Sequence, residues 1–108
     1  MKFFIRYIYI LFFVCFYYEK AISSEKVKIG LVIPLSGEYS KIGKSVINAT
    51  RLALNSINDS NIEILPMDNE NDPNTTLEVS RKLYENEKVK IIIGPIFKEN
   101  NTKLNQLP

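Results

Sequence analysis

The sequence contains no histidine, and its single cysteine, Cys15, stands within the first 23 residues. Residues 24–108 therefore have no disulfide, no thiol or imidazole chemistry, and no zinc site built from the usual cysteine and histidine ligands. An excess of charge of one sign is also missing, because these residues carry eleven basic and eleven acidic side chains. A nucleic-acid-binding domain needs a basic face that neutralises phosphates, so this class of partner is excluded.

The motifs of common enzyme and cofactor sites are absent as well. Gly37 and Gly43 do not have the G-x-G-x-x-G spacing that binds a dinucleotide, and no lysine follows a glycine-rich phosphate-binding turn. Ser36 has no histidine to activate it as a nucleophile. The acidic run at residues 68–72 resembles the start of a calcium loop, but Pro73 stands where that loop needs glycine. We therefore predict a non-catalytic protein without a metal or a cofactor.

The first 23 residues have the layout of an export signal. Lys2 and Arg6 precede an apolar core from Ile8 to Tyr18, and a small-residue pattern ends at Ser23. This order is typical of a secretory signal peptide, so we predict cleavage after Ser23 and a periplasmic protein. The alternative is an uncleaved signal that anchors the protein in the membrane, although the apolar core is shorter than the roughly 20 residues of a typical span.

The remaining residues, 24–108, alternate between strand and helix patterns. Apolar runs rich in β-branched residues predict strands over Val27–Ile33, Ile62–Asp68 and Val89–Ile93. The segments between them predict helices over Lys41–Asn58 and Pro73–Glu85. Strands that alternate with helices in this way fold as a doubly wound parallel α/β sheet with right-handed crossovers.

The first predicted helix has apolar residues at three- and four-residue steps, which marks one face. These residues are Ile42, Val46, Ala49, Ala53 and Ile57. Ser40 is the predicted N-cap of this helix, and Asp72, which is followed by proline, is the predicted N-cap of the second. From Lys98 onward we expect a loop that leads into a third helix.

Three loops leave the carboxyl ends of the predicted strands, which is where ligands bind in doubly wound sheets. We call residues 35–40 the first loop, residues 68–72 the second loop and residues 94–100 the third loop. If the strand order is 2-1-3, the first and third loops flank the point where the order reverses. The candidate ligand-binding residues in these two loops are Ser36, Gly37, Tyr39, Pro95, Phe97 and Lys98. Tyr39 either packs on the sheet edge or stacks on a ligand, and Ser36 is either a loop hydroxyl or a ligand contact.

Three stretches of the sequence resemble the leucine-binding branch of the type I periplasmic binding proteins. They are KIGLVIPLSGEYSKIG with the helix behind it, IEILPMDNENDPNTTLEVSRKLYE, and KVKIIIGPIFKENN. The resemblance runs from Lys26 to about Leu107, and its most specific parts are P-L-S-G-x-Y and I-I-G-P. It implies a two-lobed fold with a ligand in the cleft. On this basis the chain supplies only the β-α-β-α-β start of one lobe, and we expect such a fragment to fold poorly alone.

The family resemblance implies two alternative functions. Branched-chain amino-acid receptors carry a serine-rich third loop, whereas residues 94–100 contain no serine and are similar to the penicillin-binding-protein activators. The first expectation is therefore a regulator that contacts a peptidoglycan synthase. The alternative is the solute-binding component of a branched-chain amino-acid ABC transporter, which binds a small molecule such as an amino acid and contacts a membrane permease.

Overall fold

A computed structural model describes residues 1–17 and 25–108 of the protein. The predicted cleavage site after Ser23 lies outside these ranges. The first helix, α1, spans Lys2–Tyr17, and most of its apolar side chains are exposed. Among the described residues, no helix combines the length and the hydropathy needed to cross a membrane.

A three-stranded parallel sheet organises residues 25–108. Its strands are β1 (Val27–Ile33), β2 (Ile62–Asp68) and β3 (Ile91–Ile93). β1 lies in the middle, so the order is β2-β1-β3. In the two ladders Ile29 of β1 pairs with Ile64 on one side and with Ile91 on the other. The predicted doubly wound α/β sheet and its 2-1-3 order are confirmed.

Two α-helices connect the strands and lie on opposite faces of the sheet. α2 spans Ser40–Ile57 between β1 and β2, and α3 spans Pro73–Glu85 between β2 and β3. Two 3₁₀ helices, Lys98–Asn101 and Leu104–Gln106, follow β3. The expectation of a third α-helix is thus wrong for these residues, which form two short 3₁₀ helices instead.

The hydrophobic core lies on the face of the sheet that α3 covers, which we call the α3 face. Its buried residues are Val32, Val79, Leu83 and Val89, and Leu65, Met67 and Ile92 pack against them. Because strand side chains alternate between faces, Gly30 points the same way as Val32. A Cβ atom on Gly30 would lie only 2.7 Å from Cδ1 of Leu83. The missing side chain at Gly30 therefore makes room for Leu83 against the sheet.

The opposite face, which we call the α2 face, is covered less completely. The inner side of α2 consists of Gly43, Val46, Ile47, Thr50 and Leu54. A cavity of about 220 Å³ remains between α2 and the sheet, with Leu31, Ile47 and Leu54 among its walls. Beyond the reach of α2, Ile91 and Ile93 are 55% and 48% exposed.

The predicted inner face of α2 is wrong except at Val46. Ile42, Ala49, Ala53 and Ile57 are exposed. The reason is Gly43, where a Cβ atom would lie 1.8 Å from the carbonyl oxygen of Pro34. This close approach fixes the rotation of α2 about its axis. The face that meets the sheet is therefore displaced from the apolar series by one residue, which corresponds to roughly 100°.

β3 is shorter than predicted, because Val89 and Lys90 are not part of it. The amide of Val89 donates to the carbonyl oxygen of Leu83 at 3.1 Å, which closes the turn after α3. Val89 is nevertheless buried on the α3 face. Its apolar side chain therefore serves the core without belonging to the strand.

Candidate functional site

Asp68, the last residue of β2, connects the first and second loops. Its Oδ1 accepts hydrogen bonds from the amides of Leu35 at 2.8 Å and Glu70 at 2.9 Å. The amide and the hydroxyl of Ser36 lie near this carboxylate and also lower its pKa. Burial alone would raise the pKa of Asp68, but the hydrogen bonds together outweigh burial and lower the pKa below its ordinary value. An ionised Asp68 therefore holds the first loop beside the end of β2.

The first loop turns at Gly37 and passes directly into α2. Gly37 has a φ of +70°, a left-handed conformation that glycine adopts without strain. Its carbonyl oxygen accepts a hydrogen bond from the amide of Ser40 at 3.3 Å. The prediction of Ser40 as the N-cap is wrong, because Ser40 is already the first helical residue. Tyr39 occupies the N-cap position and its side chain makes no capping hydrogen bond.

The second loop is held from within by asparagine side chains. Asn69 is fully buried, and its Nδ2 donates to Oγ1 of Thr76 at 3.1 Å while its Oδ1 accepts from the amide of Asn71 at 3.2 Å. Nδ2 of Asn100 donates to Oδ1 of Asn71 at 2.8 Å, which joins the third loop to the second. Sequence reasoning missed these asparagines, although the Asn-rich composition of both loops is the signal that points to them.

Asp72 begins α3 as predicted. Its Oδ2 accepts a hydrogen bond from the amide of Thr75 at 2.8 Å, and Pro73 follows in the first turn. The hydrogen bond from the Thr75 amide lowers the pKa of Asp72 below the usual value of the carboxyl group. The prediction of this cap from the Asp-Pro pair is confirmed.

The first and third loops meet through two aromatic side chains. The ring centroids of Tyr39 and Phe97 lie 4.8 Å apart, with the ring planes tilted by 57°. Both residues are half-buried, so part of each ring remains accessible. Gly94 starts the third loop with a φ of +111°, and a Cβ atom there would lie 2.1 Å from the carbonyl oxygen of Val32. This approach of backbone to backbone brings the third loop beside the end of β1.

The other candidate residues lie around this ring contact. Ser36 and Gly37 are exposed on the first loop, and Pro95 is half-buried on the third. Lys98 is exposed at the start of the 3₁₀ helix. Within residues 1–17 and 25–108 it has no acidic partner, since the ion pairs there are Lys28–Glu87 and Lys82–Glu78. Ligand binding by the six candidates stays a prediction.

Across the described ranges, no group of three or more His, Cys, Asp or Glu side chains is arranged to hold a cation. Oδ1 of Asp68 already accepts hydrogen bonds from the amides of Leu35 and Glu70. Within the described residues, the first and third loops bring together an aromatic pair and a lysine that has no ion-pair partner there.

Solved structures share the fold of this chain. A solute binding protein of an ABC transporter from R. palustris, in complex with benzoate, matches with 25% identity and a TM-score of 0.68, over 75% of this chain and 24% of that one. A second, from Rhodopseudomonas palustris BisB5 in complex with 3,4-dihydroxy benzoic acid, matches with 30% identity and a TM-score of 0.59, over 62% of this chain and 20% of that one.

A more distant match supports the fold alone. The branched-chain amino acid transporter substrate binding protein of Streptococcus pneumoniae, in complex with isoleucine, has 23% identity and a TM-score of 0.67, over 74% of this chain and 25% of that one. The chain thus spans about a quarter or less of the length of these solved proteins. No curated protein sequence matches it.

The family comparison agrees with the fold and with the position of the loops. The family model described as periplasmic binding protein matches residues 26–106, which include all three strands, α2 and α3. The expected resemblance to the type I, leucine-binding branch is confirmed by this match together with the solved neighbours. The chain belongs to the periplasmic binding protein family.

Proposed function

We propose that this protein is an exported, non-catalytic solute-binding component of an ABC transporter. The observation that carries the proposal is the meeting of the first and third loops at the point where strand order reverses, with the rings of Tyr39 and Phe97 4.8 Å apart. In a doubly wound sheet this is the edge at which ligands bind. The loops of this chain then form one wall of a ligand cleft, and the ligand is delivered to a membrane permease.

The hydrogen bonds of the loops support a binding role. Asp68 restrains the first loop by accepting a hydrogen bond from the amide of Leu35. The Asn71–Asn100 hydrogen bond restrains the third loop. Side chains mounted on loops with so many internal partners keep their positions, and a site for a small molecule needs such fixed polar and aromatic groups.

The solved neighbours favour transport over regulation. Two neighbours with at least 25% identity are solute binding proteins of ABC transporters, and their ligands are benzoate and 3,4-dihydroxy benzoic acid. The serine-free third loop argues against an amino-acid receptor but does not argue against other solutes. A role as an activator of a peptidoglycan synthase, the first expectation, therefore has less support than the transporter component.

Binding measurements with the protein purified at its natural length test the proposal. Isothermal titration with benzoate, 3,4-dihydroxybenzoate and L-isoleucine is expected to show saturable binding of at least one of these compounds. Asp68→Ala, which frees the first loop, should weaken that binding about tenfold because the loop must then be ordered by the ligand.

Asp59→Ala is the matched control for this variant. Oδ1 of Asp59 also accepts a backbone amide hydrogen bond, from Asn61 at 2.9 Å, but it precedes β2 and so lies at the opposite edge of the sheet. The affinity of the Asp59→Ala variant for the bound compound should equal that of the unmodified protein. If no compound binds and the protein instead co-purifies with a peptidoglycan synthase, the transporter proposal is wrong and the regulator replaces it.

A further inference from the structure

We infer that the ligand of this site is an aromatic carboxylate whose ring packs against Tyr39 and Phe97 and whose charge pairs with Lys98. The inference rests on the proposed function, which it makes more specific. It separates this protein from receptors for aliphatic amino acids, because it names a planar ring and a single negative charge as the features recognised.

The two rings form a surface that a third ring can extend. Their centroid distance of 4.8 Å and tilt of 57° belong to the range in which aromatic pairs attract each other beyond simple apolar burial. Tyr39 and Phe97 come from different loops, and both are half-buried, so neither ring is enclosed by its own loop. A planar ligand ring can contact the accessible part of this pair by stacking or by an edge-to-face arrangement.

The charges of the loops favour an anion without an ammonium group. Lys98 adjoins Phe97 in the chain, is exposed, and has no ion-pair partner in the described part of the protein. The carboxylate of Asp68, which an α-ammonium group would need, accepts hydrogen bonds from the amides of Leu35 and Glu70. An amino acid would therefore find a partner for its carboxylate but would compete with backbone amides for Asp68.

The hydroxyl of Ser36 supports the same conclusion. It lies near enough to Asp68 to lower the pKa of that carboxyl group, so the carboxylate of a ligand would compete with Asp68 for this donor. The serine-free third loop supplies no second hydroxyl. Lys98 is then the main partner for the carboxylate of the ligand. Because an exposed ion pair of this kind contributes only modestly to the binding free energy, most of the selectivity between ligands must come from the rings of Tyr39 and Phe97.

Two ligands of nearly equal size test the role of the rings in the unmodified protein. Isothermal titration should give benzoate an affinity at least about fivefold higher than cyclohexanecarboxylate, because only benzoate gains the aromatic contribution. L-Isoleucine should bind more weakly than both. Equal affinities for benzoate and cyclohexanecarboxylate would overturn the inference, and so would a clear preference for L-isoleucine. Either result would leave the proposed transport function standing. If neither these three compounds nor 3,4-dihydroxybenzoate binds, both the inference and the proposed function are overturned.

Substitutions then identify the residues. Phe97→Leu and Tyr39→Leu should each remove most of the preference for benzoate over cyclohexanecarboxylate, while Tyr84→Leu, which changes an exposed aromatic residue of α3, should leave it intact. Lys98→Met should weaken both ligands equally, by about two- to fivefold. Lys90→Met is its control at the opposite edge of the sheet. An unchanged preference in Phe97→Leu and Tyr39→Leu, with thermal midpoints near that of the parent, would contradict the assignment of the rings.

Discussion

The two faces of the sheet differ in how their helices are attached. On the α3 face, Val79 and Leu83 bury themselves against Val32. On the α2 face, the helix approaches closely at Gly43, near its start, while a cavity of about 220 Å³ lies under the part that carries Ile47 and Leu54. The helix on the α3 face therefore packs more completely against the sheet than α2 does.

The two faces therefore have different roles: the α3 face holds the hydrophobic core, and the start of α2 positions the first loop. The start of α2 is where the first loop ends, so its contact with Pro34 sets the position of Tyr39 beside the third loop. The remainder of α2 contributes little to that position. A close backbone contact can thus fix the position of a loop where side-chain packing is sparse, and the predictions below test this difference between the faces.

The largest expected effect is on the α3 face. Leu83→Ala should lower the free energy of unfolding by about 3 kcal/mol, because Leu83 is fully buried and its removal leaves a cavity. Leu54→Ala removes the same atoms from the α2 face, where the side chain is half-buried beside an existing cavity. This variant should lower the free energy of unfolding by only about 1 kcal/mol. Urea unfolding of the protein at its natural length measures both. Equal losses would show that the two faces are packed alike.

The second effect concerns the start of α2. Gly43→Ala should lower the free energy of unfolding by about 2 kcal/mol, because the new Cβ atom meets the backbone carbonyl of Pro34 and cannot be accommodated by a side-chain movement. Gly30→Ala is the control on the α3 face, where the new atom meets the flexible end of Leu83, and it should cost about 1 kcal/mol or less. Thermal unfolding of both variants compares them. A neutral Gly43→Ala would mean that α2 is not held at this point.

The third effect is a pH dependence at the carboxyl edge, where the two faces meet. The folded-state pKa values of Asp68 and Asp72 are lowered, so each carboxylate contributes stability that is present above the unfolded pKa of about 3.9 and is lost as the pH falls through the folded value. The thermal midpoint should therefore be steady above about pH 5 and fall below it. Asp68→Asn should make that fall shallower. A steeper fall in the variant would contradict the assignment.

The smallest effect is expected at the uncovered part of the α2 face. Ile91→Thr should change the free energy of unfolding by less than about 0.5 kcal/mol, since the side chain is 55% exposed. Ile92→Thr, its neighbour on the α3 face, packs against the core and should cost about 1 kcal/mol or more. Chemical denaturation again gives both values. A large loss for Ile91→Thr would show that this face is covered in solution.

Much of the fold could be predicted because its signals are local. β1 and β2 are β-branched apolar runs, β1 ends before Pro34, and Asp72 with its following proline marks the start of α3. The bounds of these three elements agree with the prediction. The loops that line the switch point followed from the strand order alone.

The remaining features depend on contacts between distant residues. The rotation of α2 follows from the approach of Gly43 to Pro34, which a search for apolar periodicity cannot detect because glycine has no apolar side chain. The burial of Val89 outside β3 depends on the turn after α3. For Tyr39 the sequence left packing on the sheet edge and stacking on a ligand as alternatives, and its contact is with Phe97 of the third loop, which corresponds to neither.

The three loops are connected to one another in a closed circuit. Asp68 joins the first loop to the second, Asn71 and Asn100 join the second to the third, and Tyr39 and Phe97 join the third back to the first. No loop can move away without breaking two of these connections. The entropy of ordering this surface is therefore lost when the chain folds and not when a ligand arrives, so a small solute with few contacts can still be held firmly.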